Sequence, residues 1–411
     1  MDDVLIVGAG IGGLTLALEL HRRNVPCRVF ESAPQLKAVG VGINLLPHAT
    51  KVLGGLGLGL VPALGRVAVE TQEGAFYNRF GQLIYREPLG RRAGYEWPQF
   101  SIHRADLQAV LLKAAKQAIG EERLHLGFHC TGVEQDESGV KVFFKEKPAV
   151  KGKCVVGCDG IHSVIRKQLY PDEGEPRYSG VNMWRGVTRW APVLGGATMI
   201  RAGWLKTGKL VYYPIRDNVD AEGRQLVNWL WEIETPRHSR WDWNRPASVE
   251  DFIADAEDWR FDWLDVPAFL RAAEVVLEYP MVDKDPLPAW SFGRVTLLGD
   301  AAHPMVPRGS NGAGQAILDA KRLAECILNF KDVQVSLKEY ERQRLSPTAN
   351  VVLENRCNPP DAILREVYER TGDRPFERID AVISAAELRS LSERYQKVAG
   401  YDRQALQSGA G

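Results

Sequence analysis

The chain has 411 residues, of which 45% are hydrophobic and 25% are charged. This length favours two or three domains, and the composition is that of an ordinary globular protein, which excludes extensive disorder. The 52 lysines and arginines balance the 52 aspartates and glutamates. Such a balance favours neither nucleic acid nor an anionic membrane as a partner, so we expect a small-molecule ligand.

The first residues run directly into an apolar strand pattern without a positively charged leader. No apolar run reaches the length of a membrane span, so we expect a cytoplasmic protein. The six cysteines lie mostly in apolar runs, which does not indicate a disulfide framework. Cys154 and Cys158 lack a second cysteine pair or clustered histidines, so we predict a buried strand there and no metal site.

The N-terminal segment has the pattern of a dinucleotide-binding turn. An apolar run over 4–7 leads into Gly-Ala-Gly-Ile-Gly-Gly over 8–13 and then into a helical pattern. The first glycine permits a tight turn, the second lets backbone approach a pyrophosphate, and the last lets the helix pack on the strand. The helix N-terminus then presents free N–H groups to the anion. The predicted contacts are Gly8, Gly10, Ile11, Gly12 and Gly13.

An acidic residue completes this βαβ unit. The apolar strand at 27–30 ends in Glu31, where a carboxylate can accept hydrogen bonds from the hydroxyls of an adenosine ribose. Ser32 follows it and is included among the predicted contacts. A glycine turn without a ligand is the alternative interpretation, but strand, helix and acid together favour a dinucleotide. Up to this point NAD and FAD are equally expected.

Strand and helix patterns then alternate along the chain. A glycine-rich bend at 40–44 leads to a helix near 48–56, and the glycines at 55–59 follow no strand, which argues against a second nucleotide loop. Further predicted elements are a hairpin over 77–88, a helix that begins at 103–104, and strands over 124–128, 140–144 and 155–158.

The second half of the chain changes character. Residues 181–233 are dense in β-branched and aromatic side chains, which predicts an antiparallel sheet. A helical pattern over 249–276 and a strand over 295–298 follow, and the tail from 335 is mainly helical with breaks at 358–360 and 371–373. The predicted fold is α/β, with a Rossmann-like domain over 1–75, 100–178 and 280–345. A β-rich substrate domain over 76–99 and 179–279 interrupts it, and a helical region covers 346–411.

Two further strand ends carry acids, Asp159 and Asp300, and the carboxyl ends of strands in a doubly wound sheet converge on the ligand crevice. Together with the opening glycines and Glu31, these segments resemble the fingerprints of the single-component FAD-dependent aromatic hydroxylases, the p-hydroxybenzoate hydroxylase family. The likeness spans nearly the whole chain. Within the family it is greatest to the phenazine-modifying monooxygenases, through the stretches 40–44, 101–104, 183–188 and 279–283.

The resemblance implies a bound FAD, with NADH or NADPH and O2 as transient partners. It further implies that Asp300 binds the ribityl chain, that Arg104 lies on the phosphate and ribityl side, and that Asp159 lies where FAD and the pyridine nucleotide meet. Other implied cofactor contacts are Gly42, Ile43, Cys130, Pro307, Asn311, Gly312 and Ala313. The last three begin a helix whose N–H groups can stabilise negative charge on the reduced flavin.

The implied activity is hydroxylation of an aromatic or heteroaromatic small molecule through a C4a-hydroperoxyflavin, by a monomer or homodimer. The alternatives are a flavin oxidoreductase that inserts no oxygen and a regulatory FAD-binding protein. Arg185, Tyr212 and Trp229 lie on predicted strands of the β-rich domain and are candidates for the substrate pocket. The aromatics could instead fill a core, and Arg185 could pair with an acid. No residue is assigned as a general base.

Overall fold

The computed structural model describes residues 3–35, 41–236 and 245–407. A six-stranded sheet forms one half of the molecule. Its strands, in spatial order, are Ser291–Phe292, Val295–Leu297, Cys154–Gly157, Val4–Val7, Cys27–Glu31 and Leu124–Leu126. Every neighbouring pair is parallel except the first. All four residues of Val4–Val7 are buried, as expected for a parallel strand covered on both faces.

Three long helices pack on this sheet: Ile11–Arg22 (the first helix), Arg104–Ile119, and Gly312–Asn329 (the loop helix). Shorter helices in the same half are Pro47–Gly55, Leu60–Gly65 and Val164–Leu169. Two small antiparallel sheets complete it, one of Lys147–Gly152, Val140–Phe144 and Cys130–Gln135, the other of Gly42–Leu45, Phe100–His103 and Ala68–Glu70. The predicted α/β architecture and the buried strand at Cys154 are thereby confirmed.

An eight-stranded sheet forms the other half. Its strands, in spatial order, are Arg245–Ala247, Val275–Asp283, Arg177–Trp190, Gln225–Glu234, Gly208–Arg216, Thr198–Trp204, Glu73–Tyr77 and Leu83–Pro88. Only the pair formed by Thr198–Trp204 and Glu73–Tyr77 is parallel. The antiparallel block predicted at 181–233 and the hairpin near 77–88 are both present, and they belong to one sheet.

The helical pattern predicted over 249–276 is wrong. The segment contains short 3₁₀ turns, the hairpin Arg260–Phe261 and Leu264–Asp265, one short helix Val266–Arg271, and the start of a strand at Val275. Its aromatic side chains pack on the outer face of the eight-stranded sheet and form a core with it. The packing of these side chains against the sheet determines the local structure, although the apolar residues also have a helical spacing.

The C-terminal region is helical, as predicted, with helices Val333–Cys357, Ala362–Thr371, Ala385–Val398 and Arg403–Gln407. The breaks occur where they were expected, after Cys357 and at Gly372, which has the positive φ of a helix-ending glycine. Side chains from these helices pack on the inner face of the eight-stranded sheet together with Val306. The region therefore joins the two halves. In the described ranges no helix combines the length and apolarity needed to cross a membrane.

Candidate cofactor and substrate site

The glycine turn is shaped by backbone approaches that exclude side chains. Gly8 has φ +109°, and a Cβ built on it would lie 2.3 Å from the carbonyl oxygen of Cys158. A Cβ on Gly13 would lie 2.0 Å from the carbonyl oxygen of Gly8. Gly10, in contrast, faces open space, with nothing within 4 Å of a built Cβ. Gly10 is also the N-cap of the first helix and no side chain caps it, so the N–H groups of that helix are available to an anion.

Glu31 lies at the end of the neighbouring strand and stabilises the glycine turn through hydrogen bonds. One carboxylate oxygen accepts a hydrogen bond of 2.8 Å from the backbone N–H of Ala9, and the other accepts from Ala33 N at 2.9 Å and from Ser32 Oγ at 3.1 Å. Gln108 Nε2 donates to the carbonyl oxygen of Ala9 at 3.0 Å. The predicted pair Glu31 and Ser32 therefore lies beside the glycines. Gln108 was not predicted, because nothing local in the sequence marks a glutamine in a helix.

Arg104 is the first residue of its helix and is exposed. His103 caps this helix by accepting a hydrogen bond of 3.3 Å at Nδ1 from the backbone N–H of Ala105. Arg104 lies one helical turn before Gln108, so its side chain emerges next to the glycine turn. A cation there can balance a pyrophosphate.

A second helix N-terminus lies at the same edge of the sheet. A Cβ on Gly12 would lie 2.7 Å from Leu298 Cδ2 and 3.3 Å from Ala316 Cβ, so the first helix and the loop helix are in close contact. The loop helix has Asn311 as its N-cap, again with no side-chain cap hydrogen bond. The two N-termini are therefore brought together by packing, and Gly312 and Ala313 lie in the uncapped first turn.

Asp300 lies beside the N-terminus of the loop helix. It lies in the turn Gly299–Ala301, is exposed, and has neither an ion pair nor a hydrogen bond within the described ranges. A carboxylate oxygen of Asp300 lies 3.8 Å from the Cβ position of Gly312. An unpaired carboxylate beside free helix N–H groups suits a ligand that offers hydroxyls to the acid and an electron-rich edge to the amides.

A network of buried polar side chains holds the N-terminal end of the loop helix in place. His48 Nε2 lies 3.0 Å from Asn311 Oδ1, and Gln315 Nε2 donates to the same oxygen at 3.3 Å and to the carbonyl oxygen of Ala399 at 3.1 Å. Burial lowers the pKa of His48 to about 4, so the imidazole is neutral. Among the described residues, no side-chain or backbone acceptor meets the geometry of a hydrogen bond to the buried Asn311 Nδ2. His48, like Gln315, was missed in the sequence, because its partner lies 263 positions away.

Asp319 supports the turn that carries Asp300. It accepts hydrogen bonds from Gly299 N at 3.3 Å and from Arg344 Nε at 2.7 Å, and its other contact is His303 Nε2 at 2.5 Å. Burial acts to raise the pKa of Asp319, but His303 and Arg344 outweigh it and hold this pKa below the usual value. His303 therefore has a structural role.

The carboxylate of Asp159 caps the start of a helix. It accepts hydrogen bonds from Ser163 Oγ at 2.5 Å and from Val164 N at 2.8 Å, at the start of helix Val164–Leu169. Burial raises its pKa. Cys130 begins the strand Cys130–Gln135, where burial raises the pKa of the thiol to about 11. For both residues contact with a cofactor stays a prediction.

Gly42 joins the two halves of the molecule. Its N–H donates to Asn228 Oδ1 at 2.6 Å, and its carbonyl oxygen accepts from Arg185 Nη2 at 2.9 Å. A Cβ there would lie 2.7 Å from Tyr213 Cε2, so only glycine fits. Arg185 thus binds a backbone carbonyl rather than an acid. Ile43 pairs with Ile102 in the adjoining small sheet.

Two predicted substrate residues lie on the wrong face of the eight-stranded sheet. Tyr212 packs against Phe269 with ring centroids 5.3 Å apart, and Trp229 is fully buried and donates from Nε1 to Thr188 Oγ1 at 2.9 Å. Both belong to the outer core formed with the 252–270 segment. Alternation along the strands puts Tyr213, Asn228 and Leu230 on the inner face instead. The pocket assignments of Tyr212 and Trp229 are corrected accordingly.

The arrangement as a whole fits an extended dinucleotide cofactor. Two uncapped helix N-termini lie at one sheet edge, the space around Gly10 is open, and the carboxylates of Glu31 and Asp300 flank the two ends. The flavin and adenosine ends of FAD offer hydroxyls to such acids, and its pyrophosphate needs such amides.

Comparisons with known proteins agree with this geometry. The family model described as FAD binding domain matches residues 1–194 and 281–355. The chain is 39% identical over 404 residues, 95% of this chain and 97% of the other, to phenazine 1,6-dicarboxylic acid hydroxylase PhzS of Lysobacter antibioticus. It is 32% identical over 361 residues, 86% of each chain, to 3-hydroxybenzoate 6-hydroxylase of Polaromonas naphthalenivorans.

Solved structures share the fold. CtdE in complex with FAD and a substrate has a TM-score of 0.78 at 21% identity, covering 97% of this chain and 99% of the other. A salicylate hydroxylase substrate complex has a TM-score of 0.74 at 23% identity, covering 98% and 96%. At these identities the likeness establishes the architecture alone.

Proposed function

Because the chain belongs to the FAD binding domain family and its relatives are flavin-dependent aromatic hydroxylases, we propose that it uses NADH or NADPH and O2 to hydroxylate an aromatic or heteroaromatic small molecule. The observation that carries this proposal is the uncapped loop helix with the unpaired Asp300 beside it, at the same sheet edge as the glycine turn. Bound FAD supplies the electron transfer and the activation of oxygen.

In this proposal, different residues of the site bind different parts of FAD. The backbone N–H groups that follow Gly10 bind the pyrophosphate, and Arg104 balances its charge. Glu31 accepts hydrogen bonds from the adenosine ribose. Asp300 does the same for the ribityl hydroxyls, and the absence of any hydrogen bond or ion pair to it among the described residues supports that role.

The loop helix serves the ring end of the cofactor. The N–H groups of Gly312 and Ala313 and the positive end of the helix dipole would favour a negatively charged edge of the flavin placed against them. Neutral His48 and Gln315 fix the side-chain oxygen of Asn311, which sets the direction of the helix start. A rigid donor set of this kind costs no reorganisation during the reaction.

Within the described ranges we find one dinucleotide βαβ unit, the one that begins at Val4. In this proposal the unit would hold FAD as a resident cofactor, and the nicotinamide nucleotide would bind transiently as the source of reducing equivalents. The inner face of the eight-stranded sheet, with Val211 and Leu230, provides the apolar surface on which an aromatic ring lies shielded from water.

A substrate screen tests the proposal. The FAD-loaded protein is mixed with NADH or NADPH and with phenazine carboxylates, hydroxybenzoates or hydroxynicotinates, chosen because relatives are named for such compounds. At least one compound should accelerate nucleotide oxidation and gain one oxygen atom by mass spectrometry. If none does so while FAD is bound, the proposed function is wrong.

A further inference from the structure

Ser310 lies in the loop before the loop helix and has a backbone conformation that serine rarely adopts. Its φ is +54°, in the left-handed region, where a residue with a side chain is strained relative to glycine. The side chain is half-buried. Strain of this kind persists only where the surrounding contacts fix the residue, and it is frequent at functional sites. The contacts of the Ser310 hydroxyl therefore indicate what the strained conformation provides.

Three buried polar side chains, Thr71, Ser101 and Asn44, lead to this hydroxyl and form what we call the donor row. They are at most 4% exposed and come from the small sheet that contains strand Gly42–Leu45, where Asn44 and Ser101 are cross-strand partners. Thr71 Oγ1 lies 2.7 Å from Ser101 Oγ, and Ser101 Oγ donates to Asn44 Oδ1 at 2.5 Å. Asn44 Nδ2 in turn donates to Ser310 Oγ at 3.5 Å.

The donor row has a direction, because each member has few protons to give. A serine hydroxyl has one proton, so Ser101, which donates to Asn44, must accept from Thr71. Asn44 accepts at its carbonyl oxygen and donates from its amide nitrogen to Ser310. The Ser310 hydroxyl is thereby an acceptor within the row and keeps its own proton. No acceptor for that proton occurs in the described parts of the chain, so the row ends in an unpaired O–H.

The neighbouring Asn311 gives a second, independent sign that a ligand is bound here. Serine and asparagine at a helix start ordinarily cap its free N–H groups, but the Asn311 oxygen contacts His48 and Gln315 instead. Asn311 is 1% exposed, and among the described residues its Nδ2 has no acceptor. A buried amide nitrogen is costly to leave unpaired, so a bound molecule with acceptor atoms suits this position.

We propose that the Ser310 hydroxyl donates a hydrogen bond to a carbonyl oxygen of the flavin ring and thereby raises the reduction potential of bound FAD. This inference rests on the proposed function, which places the ring end of FAD at the start of the loop helix. Reduction puts negative charge on the carbonyl edge of the ring, and hydrogen bonds to charged acceptors are stronger than those to neutral ones. The reduced form is therefore stabilised more than the oxidised form, with Asn44, Ser101 and Thr71 as positioning residues.

The test measures the reduction potential of bound FAD in two variants that lack the hydroxyl. FAD-loaded wild type, Ser310→Ala and Ser310→Gly are reduced without oxygen beside reference dyes of known potential. We expect both variants to bind reduced FAD about 10-fold more weakly relative to oxidised FAD, which lowers the midpoint potential by about 30 mV. Glycine fits the left-handed backbone, so Ser310→Gly should unfold at a higher temperature than Ser310→Ala although their potentials agree.

Asn44→Asp tests the direction of the donor row. A carboxylate has no proton to donate, so Ser310 would donate to it and be lost to the flavin. The new negative charge also acts on the potential, so the substitution is made in the wild type and in Ser310→Ala. We expect the drop to be larger in the wild type by the same 10-fold, or about 30 mV. Equal drops would show that Asn44 does not position the hydroxyl and would overturn that part of the inference.

Unchanged potentials in Ser310→Ala and Ser310→Gly would overturn the inference. A rise would do so too, since it would indicate a donor to the ring nitrogen that is protonated on reduction. Different potentials in these two variants would assign the effect to backbone strain, which also overturns it. The measurement needs no aromatic substrate, so it decides on the hydroxyl even if no compound is hydroxylated and the proposed function is wrong. A wild type that binds no FAD would overturn both.

Discussion

The two helix N-termini of the site are built in different ways. The glycine turn before the first helix is shaped mostly within the first βαβ unit, through Gly13 against Gly8 and Glu31 against Ala9, while the carbonyl of Cys158 on an adjacent strand end adds a contact to Gly8. The start of the loop helix is held by residues far along the chain, His48 and Tyr395 among them. The first N-terminus is therefore encoded locally and the second by tertiary packing. We therefore expect substitutions at the two N-termini to differ in their effects on stability and on FAD binding.

The largest expected effect is at the glycine turn. Gly8→Ala forces a side chain into a left-handed backbone and against the Cys158 carbonyl, so we expect a loss of about 3 kcal/mol in the free energy of unfolding and no retained FAD. Gly10→Ala is the control, since its Cβ meets open space. It should leave the urea midpoint nearly unchanged and weaken only FAD binding. Equal stability losses in both variants would show that the turn is not shaped as described.

The second prediction addresses the loop before the loop helix. Gly309→Ala places a methyl group on the Tyr395 hydroxyl, so we expect a loss of about 2 kcal/mol, seen in thermal unfolding, together with weaker FAD retention. The double variant with Tyr395→Phe removes the oxygen and should recover part of the loss. If the second substitution recovers nothing, the C-terminal helices do not position this loop.

The third prediction concerns pH. The pKa of His48 is about 4 in the folded protein against 6.5 ordinarily, so the unfolded chain binds the extra proton between these values. Stability from this group is complete above pH 6.5 and falls as the pH drops towards 4, by about 2 kcal/mol at pH 5. Urea unfolding at pH 7.5 and pH 5 should show a smaller difference for His48→Gln than for the wild type. An identical difference would exclude His48 as the cause.

The smallest effect is expected at Asp300. Because the side chain is exposed and unpaired in the described structure, Asp300→Ala should leave stability unchanged and weaken FAD binding about 10-fold. Asp159→Ala is the contrasting variant, since loss of its capping hydrogen bonds should cost about 1 kcal/mol of stability. Wild-type FAD affinity in Asp300→Ala would remove that residue from the site.

The parts of this molecule that depend on contacts within one supersecondary unit could be predicted from the sequence. Gly13 and Glu31 could be placed because each contacts residues within one βαβ unit, and Tyr212 and Trp229 could be placed on strands of the antiparallel sheet. The pattern did not say which face turns towards the cofactor, so Tyr212 and Trp229 were assigned to the wrong side.

What escaped prediction depends on contacts between distant segments. His48 becomes part of the site only through Asn311, which lies 263 positions further along the chain. The 249–276 segment was misread because its aromatics fit a sheet face that only the folded chain provides.

The central claim is that this chain inserts oxygen into an aromatic ring, and labelled oxygen tests it most directly. The FAD-loaded protein is supplied with ¹⁸O₂, reduced nicotinamide nucleotide and an acid from the screen, and the product is analysed by mass spectrometry. We predict one labelled atom in each product molecule and one nucleotide oxidised per product. Substrate-stimulated nucleotide oxidation that yields only labelled hydrogen peroxide, with no label in the ring, would contradict the account.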